Sequence, residues 1–305
     1  MNINRLGTLR QFQILLEVYK LSSISKAAVS LGLTQPTVSM QLKKLADQHD
    51  IQLYNQIGKR LVFSDAGIML VNSAKIIVHE LETLHSNMSQ MHGLTRGTLN
   101  LSVVTSAKYF IPHLIGPFCQ RYPNIDVQLN VGNREQAVNR LKNGEDDLYV
   151  FSHIPNVENI EAIRFAPNPL IPIVSTNNPL ARKAKVSLSE LLKLDFLVRE
   201  PGSGTRFAID QHFKEHKVNK KIRMTIESNE AIRHCVMEDL GFSILSEHAL
   251  SYGGDEGVKR LTIEDFPILS QWSFVWSSTM SFSPIARVFL EYIRTEGLTL
   301  LPKLS

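Results

Sequence analysis

Thr34-Gln35-Pro36-Thr37-Val38-Ser39-Met40-Gln41-Leu42-Lys43-Lys44-Leu45 reads as one short helix with two unlike sides. Thr34 is a good N-cap, and Pro36 falls in the first turn, where a missing backbone N–H has no intrahelical bond to lose. At about 100° per residue, Val38, Leu42 and Leu45 share one face and belong to a core. Pro36, Thr37, Ser39, Met40, Lys43 and Lys44 spread over the other. That outward side carries hydroxyls able to donate to phosphates or base edges, two lysines for phosphates, and a Met40 side chain suited to a thymine methyl. A polar outer face is common to any amphipathic surface helix, so the stretch takes its meaning from its neighbours.

Just upstream, Ser22-Ser23-Ile24-Ser25-Lys26-Ala27-Ala28-Val29-Ser30-Leu31-Gly32-Leu33 predicts a serine-capped helix, with alanines that let two helices cross closely and Gly32 in the sharp bend that follows. Together the two segments have helix-turn-helix architecture. Thr8 opens a preceding helix whose apolar positions are Leu9, Phe12, Leu15, Leu16 and Tyr19. Downstream, Ile51-Gln52-Leu53 and Leu61-Val62-Phe63 alternate apolar and polar residues about a tip at Gln56-Ile57-Gly58-Lys59-Arg60, which predicts a hairpin wing. Lys59 and Arg60 then meet phosphates or enter a minor groove; a merely solvated turn is the alternative. The candidate DNA contacts are Ser23, Ser25, Thr34, Gln35, Pro36, Thr37, Ser39, Met40, Lys43, Lys44, Lys59 and Arg60.

From Ala66 to His92 the chain has no proline, and Leu70, Ala74, Ile77, Leu81, Leu84, Met88 and Met91 recur at spacings of four and three. This is a coiled-coil seam on a helix of about 40 Å, too long to bury such a stripe alone. It predicts pairing with a second copy, against the alternative of packing on its own domain. Two heads related by a twofold axis would read two half-sites spaced by helical turns of the duplex. Gly93-Leu94-Thr95-Arg96-Gly97 then reads as a linker.

Beyond it the pattern changes to strands alternating with helices. Strand-length apolar runs at Leu99–Val104, Ile125–Val131 and Leu148–Phe151 are separated by helices near Ile111–Arg121 and Glu135–Asn143. A second series follows at Leu170–Ser175, Phe196–Val198, Ile222–Ile226 and Phe242–Leu245, then a strand at Trp272–Trp276 and a closing helix near Ser283–Thr295. Two such units, with the last segment returning to the first, describe a hinged two-lobed binder whose ligand sits outside the carboxyl ends of the strands. Small polar clusters follow those ends, each opening a helix. Helix N-termini with nearby cations favour an anion. Ser106, Lys108, Asn133, Arg134, Ser203, Thr205 and Asn229 are the candidate effector ligands, with plain helix capping as the competing reading of each hydroxyl and amide.

The bulk numbers agree. A chain of 305 residues makes two or three domains, and 43% hydrophobic with 20% charged residues is ordinary for a globular protein. No run approaches a membrane span and the first residues lack an apolar export region, so a cytoplasmic protein is expected, with no membrane association. The net charge of +4 is concentrated at the front, where residues 1–92 hold 9 Lys+Arg against 6 Asp+Glu. Cys119 and Cys235 lie far apart in no metal-type spacing and are expected to be reduced thiols.

These motifs resemble the LysR-type transcriptional regulators over essentially the whole chain. The match is carried by Ser25-Lys26-Ala27-Ala28, by Leu33 through Ser39, and by Ser64-Asp65-Ala66-Gly67. Gly132-Asn133-Arg134-Glu135, Ala166-Pro167-Asn168-Pro169-Leu170, Arg199 through Arg206 and Ser228-Asn229-Glu230-Ala231-Ile232 resemble the branch that controls carbon-fixation and inorganic-carbon genes. The resemblance implies an N-terminal winged helix-turn-helix domain at 1–65, a linker and dimerisation helix at 66–92, and a periplasmic-binding-protein-like α/β domain at 93–305. Lobe I of that domain covers about 97–166 and 270–305, and lobe II about 167–269. It further implies double-stranded operator DNA and a small anionic metabolite as partners, a homodimer through 66–92, a homotetramer overall, and no cofactor. At one place the chain departs from the branch: Tyr149-Val150-Phe151-Ser152-His153 is bulkier at the third strand end, and Tyr149 and Phe151 are expected to narrow the cleft.

Two other classes compete. An enzyme would need a nucleophile elbow, P-loop or dinucleotide loop, none of which is written here, and His212 and His216, though four apart, lack a third metal ligand. No catalytic residue and no metal ligand is therefore assigned. The solute-binding protein of a transport system would explain the back two-thirds but leaves residues 1–92 without a role.

Overall fold

A computed structural model describes residues 6–58, 60–91 and 96–301. The chain divides into two compact units, residues 1–92 and 93–305.

In the first unit, α1 (Leu9–Leu21), α2 (Ile24–Ser30) and α3 (Gln35–His49) surround a core of Phe12, Ile14, Leu15, Val18, Ala27, Ala28, Val38, Leu42 and Leu45. Thr8 and Gln11 form a reciprocal capping box at the start of α1. The buried face of α1 is 11, 12, 14, 15 and 18, so Leu9, expected inside, is 49% exposed. Ser22 turns left-handed to end α1, and Ser23 caps α2, which is shorter at both ends than the expected 22–33. Gly32, at φ +64°, makes the bend before Thr34 caps α3.

The wing is β1 (Tyr54–Ile57) paired antiparallel with β2 (Arg60–Phe63). This corrects the expected first strand at Ile51–Leu53. Those residues alternate because Leu53 is buried in the head, and the Leu53 carbonyl is taken by the Ser64 N–H at 3.0 Å. Ile57 pairs with Arg60, so the turn is tighter than the expected 56–60 loop. Phe63 anchors the wing by an edge contact with Tyr19 at 5.1 Å.

The long helix, α4, runs Asp65–Met91. Its seam has two fates. Val71 and Ala74 are buried in the head core and Leu70 is packed against it, whereas Ile77, Leu81, Leu84 and Met88 are 39–56% exposed. The first turns of the stripe are consumed by the head, and only the remainder stays open for a partner. The Met91 side chain and residues 93–95 of the expected linker lie outside the described residues.

The second unit begins with β3 (Gly97–Val104), α5 (Ile111–Arg121), β4 (Ile125–Gly132), α6 (Arg134–Lys142), β5 (Leu148–Phe151) and β6 (Ile160–Pro167). With the late strand from Gln271 to Ser277 these make one five-stranded sheet, in which β3 pairs parallel with both β4 and β5. Leu99, Leu101 and Val103 of β3 are completely buried, as a parallel strand covered on both faces should be. The edge strand β6 is mostly exposed, so it left no apolar run to predict it. The chain then crosses into β7 (Leu170–Ser175), α7 (Leu188–Leu191), β8 (Phe196–Arg199), α8 (Gly204–Glu215), β9 (Ile222–Ile226), α9 (Asn229–Met237), β10 (Ser243–Ser246), α10 (Glu247–Gly253) and β11 (Val258–Arg260). It returns through β12 (Gln271–Ser277) to the closing helix α11 (Pro284–Thr295). A bridge between Phe196 and Phe242 ties the β8-β9 pair to the β10-β7-β11 sheet.

Two strands cross between the lobes and are held together by buried polar groups. Asn168 donates its side-chain amide to Ser270 Oγ at 2.9 Å, Ser270 Oγ donates to the Asn168 carbonyl, and Ser246 Oγ donates to Asn168 Oδ1 at 2.6 Å. A fully satisfied buried network of this kind fixes geometry rather than adding much net stability. Cys119 in α5 and Cys235 in α9 are both free thiols. Among the described residues no helix is long and apolar enough to cross a membrane.

Candidate DNA interface and effector crevice

In the head, α3 turns Val38, Leu42 and Leu45 inward. Met40, Lys43 and Lys44 are exposed, and Thr37 and Ser39 are half-buried on the outer side. Several candidate contacts are first engaged with one another. The Ser23 hydroxyl accepts the Lys26 N–H, the Thr34 hydroxyl accepts the Thr37 N–H and lies 2.8 Å from Thr37 Oγ1, and Ser25 Oγ donates to Gln35 Oε1 at 3.0 Å. That last bond joins α2 to the start of α3 and sets the angle of the pair. Pro36 occupies the first turn of α3. Arg60 opens β2, and Lys59 lies outside the described residues.

In the second unit, Ser106, Asn133, Arg134, Ser203 and Thr205 line one crevice between the lobes, with Thr105, Ser152, Arg199 and Gly204. Asn133 and Ser203 cap α6 and α8, as expected of strand-end polar residues, and Ser228 caps α9. Ser106 does not follow that rule. The turn after it is a single 3-10 turn with no side-chain cap, and Ser106 Oγ instead lies 3.3 Å from Thr205 Oγ1 and accepts from Asn229 Nδ2 at 3.5 Å. These contacts cross from one lobe to the other. The lobes also approach by backbone: the Glu135 N–H donates to the Gly202 carbonyl, and a Cβ on Gly204 would stand 2.9 Å from Ser152 Oγ. The space left is about 10 Å³, room for a single water.

The charges are less open than the sequence suggests. Arg199, only 2% exposed, donates a fork to Glu200 at 2.8 and 2.9 Å and a third bond to Asn229 Oδ1 at 2.6 Å. Arg206 is bound to Asp210 and to the Arg199 carbonyl. Lys108 does not line the crevice; it forms a 2.8 Å ion pair with Glu230 of the other lobe. Burial works against the Glu230 charge, yet bonds from Lys108 and Ser228 hold its carboxyl down to about 2. Burial and Glu230 push the neighbouring Tyr109 hydroxyl above its ordinary value. Arg134 is the exception. Its guanidinium donates to the His153 carbonyl at 2.6 Å and lies over the rings of Phe207 and Phe151 at 5.2 and 5.7 Å, with no carboxylate partner among the described residues. Burial lowers its pKa.

Two residues expected to narrow the crevice behave differently. Phe151 lies beneath Arg134, but Tyr149 turns away, its hydroxyl donating to the Arg140 carbonyl and accepting from the Asp146 N–H. Ser152 and Gly204 went unassigned in the sequence, although Ser152 follows a strand end in the same way as Ser106. The His212 and His216 rings lie 4.2 Å apart in a tilted arrangement, and no metal-type group of three ligands occurs among the described residues.

Two imidazoles, His248 buried and His153 half-buried, give the closed unit a pH dependence. His248 Nε2 lies 3.0 Å from the Pro167 carbonyl and therefore carries the hydrogen, leaving Nδ1 buried without a partner. Burial lowers its pKa, and burial together with the Arg134 charge lowers that of His153. The unfolded chain then binds more protons as pH falls below about 6.5, so folding stability declines toward acid and is fully present above that value. The melting temperature is expected to fall between about pH 6.5 and 5, with a shallower slope in His248→Phe. A profile that rises as pH falls over this window would contradict the assignment.

Residues 9–68 match the family of bacterial regulatory helix-turn-helix proteins of the lysR type, and residues 92–297 match the LysR substrate binding domain. The chain is 38% identical to the HTH-type transcriptional activator CmpR of Synechocystis over 94% of its length and 95% of that protein. It is 34% identical to a RuBisCO operon transcriptional regulator of Acidithiobacillus ferrooxidans, over 95% of the chain and 94% of the relative. Among solved structures, the regulatory domain of Synechocystis CcmR in complex with 2-PG superposes with a TM-score of 0.62 at 40% identity, covering 65% of this chain and 96% of that domain.

Proposed function

The chain belongs to the LysR family of bacterial transcriptional regulators, and on that premise we propose that its head binds operator DNA as a twofold pair while a small anionic metabolite in the crevice sets the activity. The ligand is a compact phosphate or carboxylate of the class of 2-phosphoglycolate, and the controlled genes belong to central carbon metabolism, after the relatives CmpR, CcmR and the RuBisCO operon regulator. The protein works in the cytoplasm, paired through the exposed part of α4 at Ile77, Leu81, Leu84 and Met88 and assembled further into a tetramer.

The observation that carries the effector reading is Arg134. Arg199, the other cation lining the crevice, is neutralised by Glu200, and the flanking Lys108 and Arg206 by Glu230 and Asp210, whereas Arg134 is half-buried, desolvated and without a carboxylate partner among the described residues. An entering anion repairs that deficit with charge-assisted bonds. Ser106, Thr205 and Asn229 exchange their contacts with one another for contacts to the ligand, with Asn133 and Ser203 at the helix N-termini. Since the closed crevice has room for no more than a single water, the ligand enters an opened form and the lobes close on it. Lys108 assists through its bond to Glu230 across the lobes rather than by touching the ligand.

A ligand bound only to the folded state raises the melting temperature. 2-Phosphoglycolate is expected to raise that of the intact protein, and to fail with Arg134→Met and with Asn229→Ala. A shift equally large in both variants would sink the assignment. For the head, Thr37, Ser39, Met40, Lys43 and Lys44 face bases or flanking phosphates. Lys43→Ala should weaken binding to all sequences and lower the slope of log affinity against log salt by about 1, while Met40→Ala should change which operator is preferred. Equal salt slopes for the parent and Lys43→Ala would remove Lys43 from the interface.

A further inference from the structure

Beside the crevice lies a larger hollow of about 470 Å³, within the range of about 300–1,000 Å³ that small-molecule pockets occupy. One wall is a stripe of α6, where Arg134, Val138 and Lys142 fall at i, i+4 and i+8 and so span about 12 Å along one face. Pro155 and Val157 form the floor beyond β5, and Pro201, Arg206 and Phe207 close it from the other lobe. Phe207 is 47% exposed, although one face of its ring is covered by Arg134 and the ring meets His153 edge-on at 5.8 Å.

The charges are uneven. Of the carboxylates lining the hollow, Asp210 is held by Arg206 and Lys220, while Glu135, its Oε2 3.0 Å from where a Cβ on Gly202 would be, has no cation partner among the described residues. Of the cations, neither Arg134 nor Lys142 has a carboxylate partner among the described residues. Two cations against the single unpaired carboxylate of Glu135 leave the hollow net positive, and with an exposed ring and proline and valine walls between Arg134 and Lys142 it matches a ligand that has both an anionic group and a flat apolar body.

We propose that this hollow is a second ligand site, distinct from the crevice, and that it binds a ring-bearing organic anion through Lys142, Arg134 and the Phe207 ring. Arg134 belongs to both spaces, so the two sites share one guanidinium. Lys142 and Phe207 do not line the crevice, so variants at these two positions probe the hollow separately, while Arg134 couples the two sites.

The test is calorimetric titration of the full-length protein with phenyl phosphate and, separately, with inorganic phosphate. Phenyl phosphate should bind about tenfold more tightly than inorganic phosphate, the gain coming from the ring. Lys142→Ala and Phe207→Ala should each weaken phenyl phosphate about threefold or more, whereas Asn229→Ala should leave it unchanged. Lys142→Ala should keep the thermal response to 2-phosphoglycolate, which separates this site from the crevice. The proposal is overturned if phenyl phosphate binds no better than inorganic phosphate. It is equally overturned if phenyl phosphate binding is lost with Asn229→Ala but untouched by Lys142→Ala. Lys142 is exposed, so loss of fold does not cloud the result.

Discussion

Gly67→Ala is expected to disrupt the head and abolish its retention on DNA. A Cβ at this position would stand 2.0 Å from the Leu53 carbonyl oxygen, far inside contact distance, and backbone cannot swing aside as a side chain would. That carbonyl is also the acceptor of the Ser64 N–H, and the Ser64 hydroxyl accepts the Gly67 N–H at 3.0 Å as the cap of α4. Admitting one methyl group therefore means separating α4 from the segment that leads into the wing. Overpacking commonly costs about 1–3 kcal/mol, and a fixed carbonyl places this case at the top of that range. Hydrogen exchange on the intact protein should show faster exchange over residues 51–71 with little change beyond residue 97. Gly116→Ala is the control: nothing lies within 4 Å of its Cβ, so it should be neutral or slightly stabilising. Unchanged protection over residues 51–71 in Gly67→Ala would refute the close approach.

The second large effect belongs to the crevice. Arg199→Met should destabilise the second unit by about 3–5 kcal/mol, because it leaves the Glu200 carboxylate buried without its fork and Asn229 Oδ1 without its donor. The cost is that of an orphaned charge, not the net worth of the pair. Replacing both partners, Arg199→Met with Glu200→Gln, should therefore recover much of the loss. Urea unfolding of the intact protein, followed through the transition of this unit, makes the comparison. A double variant no more stable than Arg199→Met would show that the guanidinium acts by something other than neutralising Glu200. The same pairing explains why Arg134, rather than the more deeply buried Arg199, is left to meet an incoming anion.

Periodicity made the skeleton legible. Val38, Leu42 and Leu45 are the inward face of α3, and the strand at Leu148–Phe151 and the helix at Ile111–Arg121 have the bounds that their apolar runs predict. What the sequence hid was tertiary in origin. Ile51–Leu53 looks like a strand because Leu53 is a core residue, and the strand β6 is invisible because an edge strand buries little. The crevice was readable as a set of strand-end polar residues, since capping chemistry is local. Its electrostatics were not. Glu230 lies far along the chain from Lys108, and Glu200 cancels Arg199 through a side-chain geometry that no spacing records. Ser106 was grouped with the caps, yet its hydroxyl bonds to the opposite lobe. The spacing of the α4 seam could not show that Ala74 is spent inside the head with Leu70 packed against it.

The central claim is that the outer face of α3 meets duplex DNA and that an anion at Arg134 changes how it does so. The most direct measurement is equilibrium fluorescence anisotropy of the intact protein on duplex from its own upstream region, over a salt series, with and without 2-phosphoglycolate. The account predicts affinity that falls linearly on logarithmic axes as salt rises, and a 2-phosphoglycolate effect that disappears in Arg134→Met. Binding insensitive to salt, or a 2-phosphoglycolate effect of full size in Arg134→Met, would contradict it.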